Sequence, residues 1–180
     1  RPADPAEVSE AWRIAILRRN APTALALTRQ KVEVIDRKKF AAADGLRKGA
    51  YILAEATGAD GQNTTPQLIL IATGSEIALT MAAREKLQGE ATPTRVVSMP
   101  CWELFEEQSA TYKEEVLPKS IKARLAVEAG VTQGWERYVG TEGDVIGLDR
   151  FGASAPGDIA LKNLGFNVEN VLNRAKALLK

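Results

Sequence analysis

Residues 66 to 81 read PQLILIATGSEIALTM. Five of the six residues from Leu68 to Thr73 are apolar or small enough to be buried on both faces. Thr73-Gly74-Ser75-Glu76 interrupts the run, and a helical pattern follows from Ser75 to about Gln88. A continuously apolar strand that feeds a tight turn and then a helix is the mark of a parallel strand buried between two helical layers. Two more such units follow. Arg95 to Met99 ends at Pro100 and leads into a short helix from Trp102 to Gln108, with another turn of helix from Tyr112 to Val116. Ala123 to Val127 precedes a helix from Gln133 to Val139. Working outward, Ala50 to Ala54 reads as a first strand and Val145 to Leu148 as a fifth. The segment TGADGQNTT, residues 57–65, is turn-rich and short enough for a hairpin-like return, which predicts a first strand antiparallel to its neighbour. Helices from Asp158 to Leu164 and Val168 to Leu179, split by Gly165-Phe166-Asn167, close the chain. The expected fold is α/β: a three-layer α/β/α arrangement around a five-stranded mixed, mostly parallel sheet with crossovers.

Upstream of this domain the pattern differs. Asp4-Pro5 starts a helix, with Asp as cap and Pro in the first turn. Val8, Ala11, Trp12, Ala15 and Ile16 recur at helical spacing, and Asn20-Ala21-Pro22 breaks the helix. Residues 23–28, TALALT, read as a short strand. One helix and one strand cannot bury a core alone, so residues 1–36 are expected to lean on other structure. Residues 37–48, RKKFAAADGLRK, carry five basic residues in twelve and read as a solvated linker. The second domain is expected from Gly49 to Lys180.

The 180 residues are 45% hydrophobic and 26% charged, the balance of a soluble globular protein. Twenty-four Lys and Arg against twenty-three Asp and Glu leave a net charge of +1, which gives no general attraction to nucleic acid or an anionic membrane. No apolar run approaches the roughly 20 residues of a membrane helix. Arg1-Pro2-Ala3-Asp4 opens polar, unlike a secretory signal. The single cysteine, Cys101, cannot form an internal disulfide and suits a reducing compartment, so a cytoplasmic location is expected. The chain has no histidine, which excludes an imidazole base or metal ligand of its own. It opens without an initiator Met and directly on a helix, as expected of a fragment of a longer polypeptide.

Five places invite a functional reading. Gly74-Ser75-Glu76 lies between strand and helix, where exposed N–H groups favour phosphate. It lacks the fuller glycine patterns of phosphate loops, and Ser75 as helix cap with Glu76 in the first turn accounts for it without a ligand. Gly152-Ala153-Ser154-Ala155-Pro156 is a second small-residue turn, where Ser154 or Asp158 would cap the next helix. Its small residues would also let another subunit approach closely. Glu128-Ala129-Gly130 falls at the carboxyl edge of the sheet, where parallel α/β sheets bind ligands. With nearby Trp135, Glu136, Arg137 and Tyr138, this edge is expected to face a partner domain, so that alanine at Trp135 weakens assembly. Cys101 has no histidine to activate it and is not a nucleophile. Arg29 follows TALALT, and a guanidinium there can grip an anion with two prongs. On the residues alone, a ligand contact and a salt bridge stand equal for Arg29.

Taken together these segments resemble transketolase. Arg1-Pro2-Ala3-Asp4 with Glu10-Ala11-Trp12, and Pro22-Thr23-Ala24-Leu25 leading to Thr28-Arg29-Gln30, look like the end of that family's middle, pyrimidine-binding domain. Ile71 to Glu76, Val97 to Phe105, Glu128-Ala129-Gly130 with Gly134-Trp135, and Asp149 to Pro156 look like its C-terminal domain. The resemblance covers almost the whole chain, with six weak motifs in the family's order.

The resemblance implies a thiamine diphosphate enzyme that moves a two-carbon ketol unit between ketose and aldose phosphates in pentose phosphate metabolism. It implies a homodimer, with thiamine diphosphate and Mg²⁺ (or Ca²⁺) held between the first domain of one subunit and the middle domain of the other. The cofactor carries the bond cleavage and the protein supplies binding and orientation. It implies that the C-terminal domain adds little to this site and has a five-stranded mixed sheet with an antiparallel first strand. One residue carries over: Arg29 matches the arginine that grips the substrate phosphate. The family's Gly-Asp-Gly motif with its following Asn, its active-site histidines and its activating glutamate have no counterpart here. The stretch is therefore expected to hold no catalytic, cofactor-binding or metal-binding residue and, unaided, to bind no cofactor and turn over nothing. The alternatives are a stand-alone interaction or regulatory module, and the C-terminal part of a sister thiamine enzyme, such as a 2-oxoacid dehydrogenase β subunit or deoxyxylulose phosphate synthase. Trp102-Glu103-Leu104-Phe105 and the FGASAP turn favour transketolase over the sister enzymes.

Overall fold

Leu68 to Ala72 is buried along its whole length and forms the central strand, β2 (Leu68–Ala72), of the computed structural model, which describes residues 1–180. Parallel strands flank it, β3 (Thr94–Ser98) on one side and β4 (Arg124–Val127) on the other. Beyond β4 lies parallel β5 (Asp144–Ile146), and outside β3 lies antiparallel β1 (Tyr51–Ala54), giving the order β1-β3-β2-β4-β5. The mixed, mostly parallel sheet is thus as the sequence implies. The antiparallel first strand is present too, but its partner is β3 and not the next strand along the chain. Both edges of β2 are taken by β3 and β4, so no hairpin forms, and residues 57–65 keep only an isolated bridge between Thr57 and Asn63.

The side chains of β2 alternate between two cores, following the two-residue period of a strand. Leu68, Leu70 and Ala72 join Val96, Leu125 and Val127 beneath α2 (Glu76–Gly89) and α7 (Val168–Ala177), which contribute Ile77, Leu87, Val171 and Ala175. Ile69 and Ile71 join Val97, Met99 and Ala126 on the other face. That face is covered by Phe105 of α3 (Trp102–Glu106), Val116 of α4 (Ala110–Val116) and Tyr138 of α5 (Glu136–Val139). These are the three layers. The remaining helix, α6 (Gly157–Asn163), buries no residue. Its cap position is Pro156, so neither Ser154 nor Asp158 caps it. No helix is long and apolar enough to cross a membrane.

The N-terminal segment docks on the β1 edge. In α1 (Pro5–Leu17), Asp4 accepts the N–H of Glu7 at 2.9 Å as cap and Pro5 opens the first turn. Glu7 is wholly buried and accepts three hydrogen bonds: from the Tyr51 hydroxyl at 2.6 Å, the Ser98 hydroxyl at 2.8 Å and the Ala3 N–H at 2.7 Å. Burial, and then the nearby Glu7 carboxylate, push the Tyr51 phenol upward, so it stays a donor. The opposite face of α1 leaves Trp12, Ile16 and Leu17 more than half exposed.

Two expectations fail here for physical reasons. Residues 23–28 do not form a strand, because no strand of this chain offers them a ladder of partners. Thr23 to Ala26 instead line a cleft with Ala11, Ile14, Leu46 and Leu104. Residues 37–48 are no free connector either, since two of their five cations, Arg37 and Arg47, meet fixed carboxylates. Arg37 donates to Asp4, the Ala41 carbonyl and the Tyr51 hydroxyl, each at 2.9 Å. Leu46 is buried in a 3₁₀ helix, Ala43–Lys48, whose Arg47 pairs with Glu10 at 2.7 Å.

Candidate functional site at the carboxyl edge

β2 is followed in the chain by β3 on one side of it, and β3 by β4 on the other. The connections diverge at the carboxyl ends of β2 and β4, the place where open α/β sheets leave a crevice. Thr73 and Gly74 leave β2 there, Glu128 leaves β4, and Glu76 starts α2. Gly74 has φ +54, a left-handed conformation that a side chain strains, and its N–H donates to the Arg1 carbonyl at 3.0 Å. The Arg1 guanidinium lies over it. It pairs with Glu76 at 3.0 Å and, through its other amino group, with Glu128. The Thr73 hydroxyl donates to Glu128 and the Ala129 N–H donates to Glu76 at 3.3 Å. Two buried carboxylates therefore share one cation and three further donors, the third being the Ser75 hydroxyl on Glu76, which makes their burial tolerable.

This cluster fixes the reading of the Gly74-Ser75-Glu76 turn. An anion there would displace the Arg1 carbonyl from the Gly74 N–H and meet a buried acid. Ser75 does not cap α2 through its side chain. It sits in the helical region itself and donates to its neighbour Glu76 at 2.7 Å.

Beside the cluster opens a cleft of about 370 Å³, walled by Met99 to Glu103 and by Gly130, Gln133 and Trp135. Trp135 does not face outward as expected. It is 1% exposed and meets Trp102 edge-on at 5.0 Å and Tyr138 at 6.0 Å. Gly134, at φ +92, packs so close to the Trp102 ring that a side chain there would collide with it. Cys101 is not activated: burial pushes its thiol up, and Glu103 accepts its proton at 3.4 Å. The crevice does not fit a diphosphate with its metal. Its buried acids are committed to Arg1, and no three Asp, Glu, His or Cys side chains converge where a cation could sit.

The other candidates stand apart from this cluster. Arg29 lies in an exposed bend without an ion pair or a side-chain hydrogen bond, and takes no part in the cluster. Residues 151–156 form an exposed loop, with Phe151 97% exposed. The preceding Asp149 accepts from the N–H and hydroxyl of Thr132, both at 2.8 Å, and these bonds hold its carboxyl below the usual range. Sequence reasoning missed the Arg1–Glu76–Glu128 cluster, which joins residues far apart in the chain. The available signal was that Glu76 and Glu128 each follow a buried strand closely, where a lone acid needs a cation.

Comparison with known proteins places these features in context. The profile described as "Transketolase-like TK C-terminal domain" matches residues 49–167. The transketolase of Aquifex aeolicus is 51% identical over 97% of this chain and 24% of its own length. That of Halalkalibacterium halodurans is 49% identical over the whole chain and 26% of its own length. The crystal structure of Pichia stipitis transketolase in complex with sedoheptulose 7-phosphate superposes on 99% of this chain and 24% of its own, with a TM-score of 0.87 and 35% identity. The chain spans about a quarter of the length of the curated relatives it matches.

Proposed function

Because this chain belongs to the transketolase family, we propose that it serves as the C-terminal quarter of an enzyme that transfers two-carbon ketol units between sugar phosphates. The observation that carries this reading is the likeness to transketolases along the whole chain at about half identity, including the N-terminal segment outside the matched domain. On this reading, residues 1–36 finish the pyrimidine-binding domain, residues 37–48 join the two domains, and residues 49–180 are the C-terminal domain. The parent enzyme is a cytoplasmic homodimer, and it draws thiamine diphosphate and a divalent cation from its upstream domains, since the residues here do not fit them. Held by those upstream domains, thiamine diphosphate would supply the chemistry at the carbon–carbon bond, and this chain's residues would only bind and orient the substrate.

Within the parent, this chain's contribution to the reaction is Arg29. Its guanidinium holds the phosphate of the sugar at the far end from the reacting carbonyl, which positions the substrate without touching the bond that breaks. The exposed bend that carries Arg29 leaves its fork free to take two oxygens at once. The Arg1–Glu76–Glu128 cluster and Glu7 have a different task. They fasten the N-terminal segment to the sheet, so that the segment enters the parent at a fixed angle.

The test is kinetic. In the full-length protein, assayed with ribose 5-phosphate and xylulose 5-phosphate, Arg29→Ala should raise KM for phosphorylated sugars by roughly tenfold or more, the worth of a charge-assisted hydrogen bond. Unphosphorylated sugars should be affected far less. Equal losses on both would remove Arg29 from the phosphate site, and absence of ketol transfer in the full-length protein would remove the function. Calorimetry of the 180-residue chain with thiamine diphosphate and Mg²⁺ should show no tight binding.

A further inference from the structure

The opposite, amino-terminal edge of the sheet carries an arrangement that the transketolase reading leaves unused. Arg124 opens β4 and gives its guanidinium to four backbone carbonyls: Ile121 at 2.9 Å, Pro118 and Tyr138 at 2.7 Å, and Leu117 at 3.1 Å. No carboxylate forms an ion pair with it; its direct partners are neutral dipoles, and Glu114 acts on it only at longer range. It forms part of the wall of a cleft of about 370 Å³ that also has Lys113, Lys119 and Arg137 among its lining residues. Two carboxylates, Glu106 and Glu114, share the lining, which leaves two positive charges in excess. Both acids are already engaged. Glu106 pairs with Lys113 at 2.7 Å and with Arg137 at 3.8 Å, and Glu114 accepts the backbone N–H of Lys119 at 2.8 Å. The Lys119 ammonium has no partner. A second, smaller cleft of about 120 Å³ shares Lys119 and Arg124 and adds Lys122 and Glu142.

A separate observation points the same way. Tyr138, 3% exposed, also lines the larger cleft, and its hydroxyl is buried without a hydrogen-bond partner. Burial, reinforced by the nearby Glu106 and opposed by the nearby Arg137, pushes this phenol up to about 12, so it remains a donor. A buried donor left unmet is costly, and an acceptor oxygen seated in the cleft would relieve it.

We propose that this cleft binds a phosphate monoester, its phosphoryl oxygens taken by Lys119, Arg137 and the Tyr138 hydroxyl in the field of Arg124, which has no ion-pair partner. The charge fits: a phosphate monoester carries between one and a half and two negative charges near neutral pH, about the excess that lines the cleft. The volume fits as well, being within the few-hundred-Å³ range of small-molecule sites and larger than a bare phosphate needs. The site is independent of Arg29 and of the parent's chemistry.

Titration calorimetry of the 180-residue chain against glycerol 3-phosphate and inorganic phosphate, at matched ionic strength, tests it. Saturable binding of glycerol 3-phosphate is expected, tighter than that of inorganic phosphate. The Lys119→Gln and Arg137→Gln pair should weaken it by about tenfold or more. Tyr138→Phe should weaken it several-fold while leaving the ligand-free melting temperature unchanged or raised, since the hydroxyl it removes has no partner to lose. Arg29→Ala should bind as the unaltered chain does. Absence of saturation, equal binding by the Lys119/Arg137 variant, or loss of binding in Arg29→Ala would each overturn the site. Binding of inorganic phosphate without binding of the monoester would overturn the ligand class.

Discussion

Trp135 and Asp144 behave differently from what their residue types suggest in isolation. The indole fills the core beneath α3 and α5 together with Trp102, Phe105 and Tyr138, so its truncation leaves a large void rather than a bare surface. Trp135→Ala should cost about 3–5 kcal/mol. A urea midpoint within error of the unaltered chain would contradict that burial. Asp144 is held below its ordinary value of 3.8 chiefly by its hydrogen bond from Arg174. A depressed folded-state pKa contributes stability that is fully present above the unfolded value and is lost as pH falls through the folded one. Both partners are about a third or more exposed, so screening limits the pair to about 1 kcal/mol or less. Asp144→Asn should therefore be less stable than the unaltered chain at neutral pH, and their denaturation curves should converge as the medium is acidified well below 3.8. A gap that widens on acidification would reverse the sign. Trp135 also shows the limit of reading a residue by its place in the chain: its distance from the sheet edge was visible, while the inward aim imposed by Gly134 against Trp102 was not.

At the scale of elements, what the sequence revealed depended on whether each element carries its own cause. β2 was plain, because burial on both faces demands an unbroken apolar run. So were α2 and α7, whose apolar spacing shows without knowledge of partners. The antiparallel sense of β1 was expected from a hairpin that does not form, and its true neighbour was not foreseen, since strand order depends on contacts across 40 residues or more. TALALT failed outright, because strand propensity is only a willingness to pair. The Arg1–Glu76–Glu128 cluster was hidden for the same reason: it exists only after β2 and β4 lie side by side. The attachment of α1 is the element most open to test. Glu7→Ala leaves the Tyr51 and Ser98 hydroxyls and the Ala3 N–H unmet in the interior, each at about 1–3 kcal/mol. Limited proteolysis should then cut within residues 1–36 while the sheet still gives its circular dichroism, and Glu7→Gln should partly restore protection. Equal protection in Glu7→Ala would show that α1 is held by something else.

For the molecule as a whole, the two faces of the sheet are separately packed cores that share only the strands between them. The carboxyl edge keeps an acid in excess over its one guanidinium, whereas the amino edge keeps an excess of cations, so any small anion meets one inviting end and one repelling end. The outer face of α1 exposes Trp12, Ile16 and Leu17, and residues 23–26 line a cleft with its Ala11 and Ile14. The triple grip on Glu7 has a mechanical meaning too. Its bonds from Tyr51 and Ser98 rivet α1 to the two strands nearest it, while the bond from Ala3 ties the segment to itself, so the helix leaves the sheet only when both cross-links fail. Stretched from its two ends in an optical trap, the chain should therefore rupture in one step, with helix and sheet yielding together, and Glu7→Ala should split that event into a weak early release followed by a stronger late one.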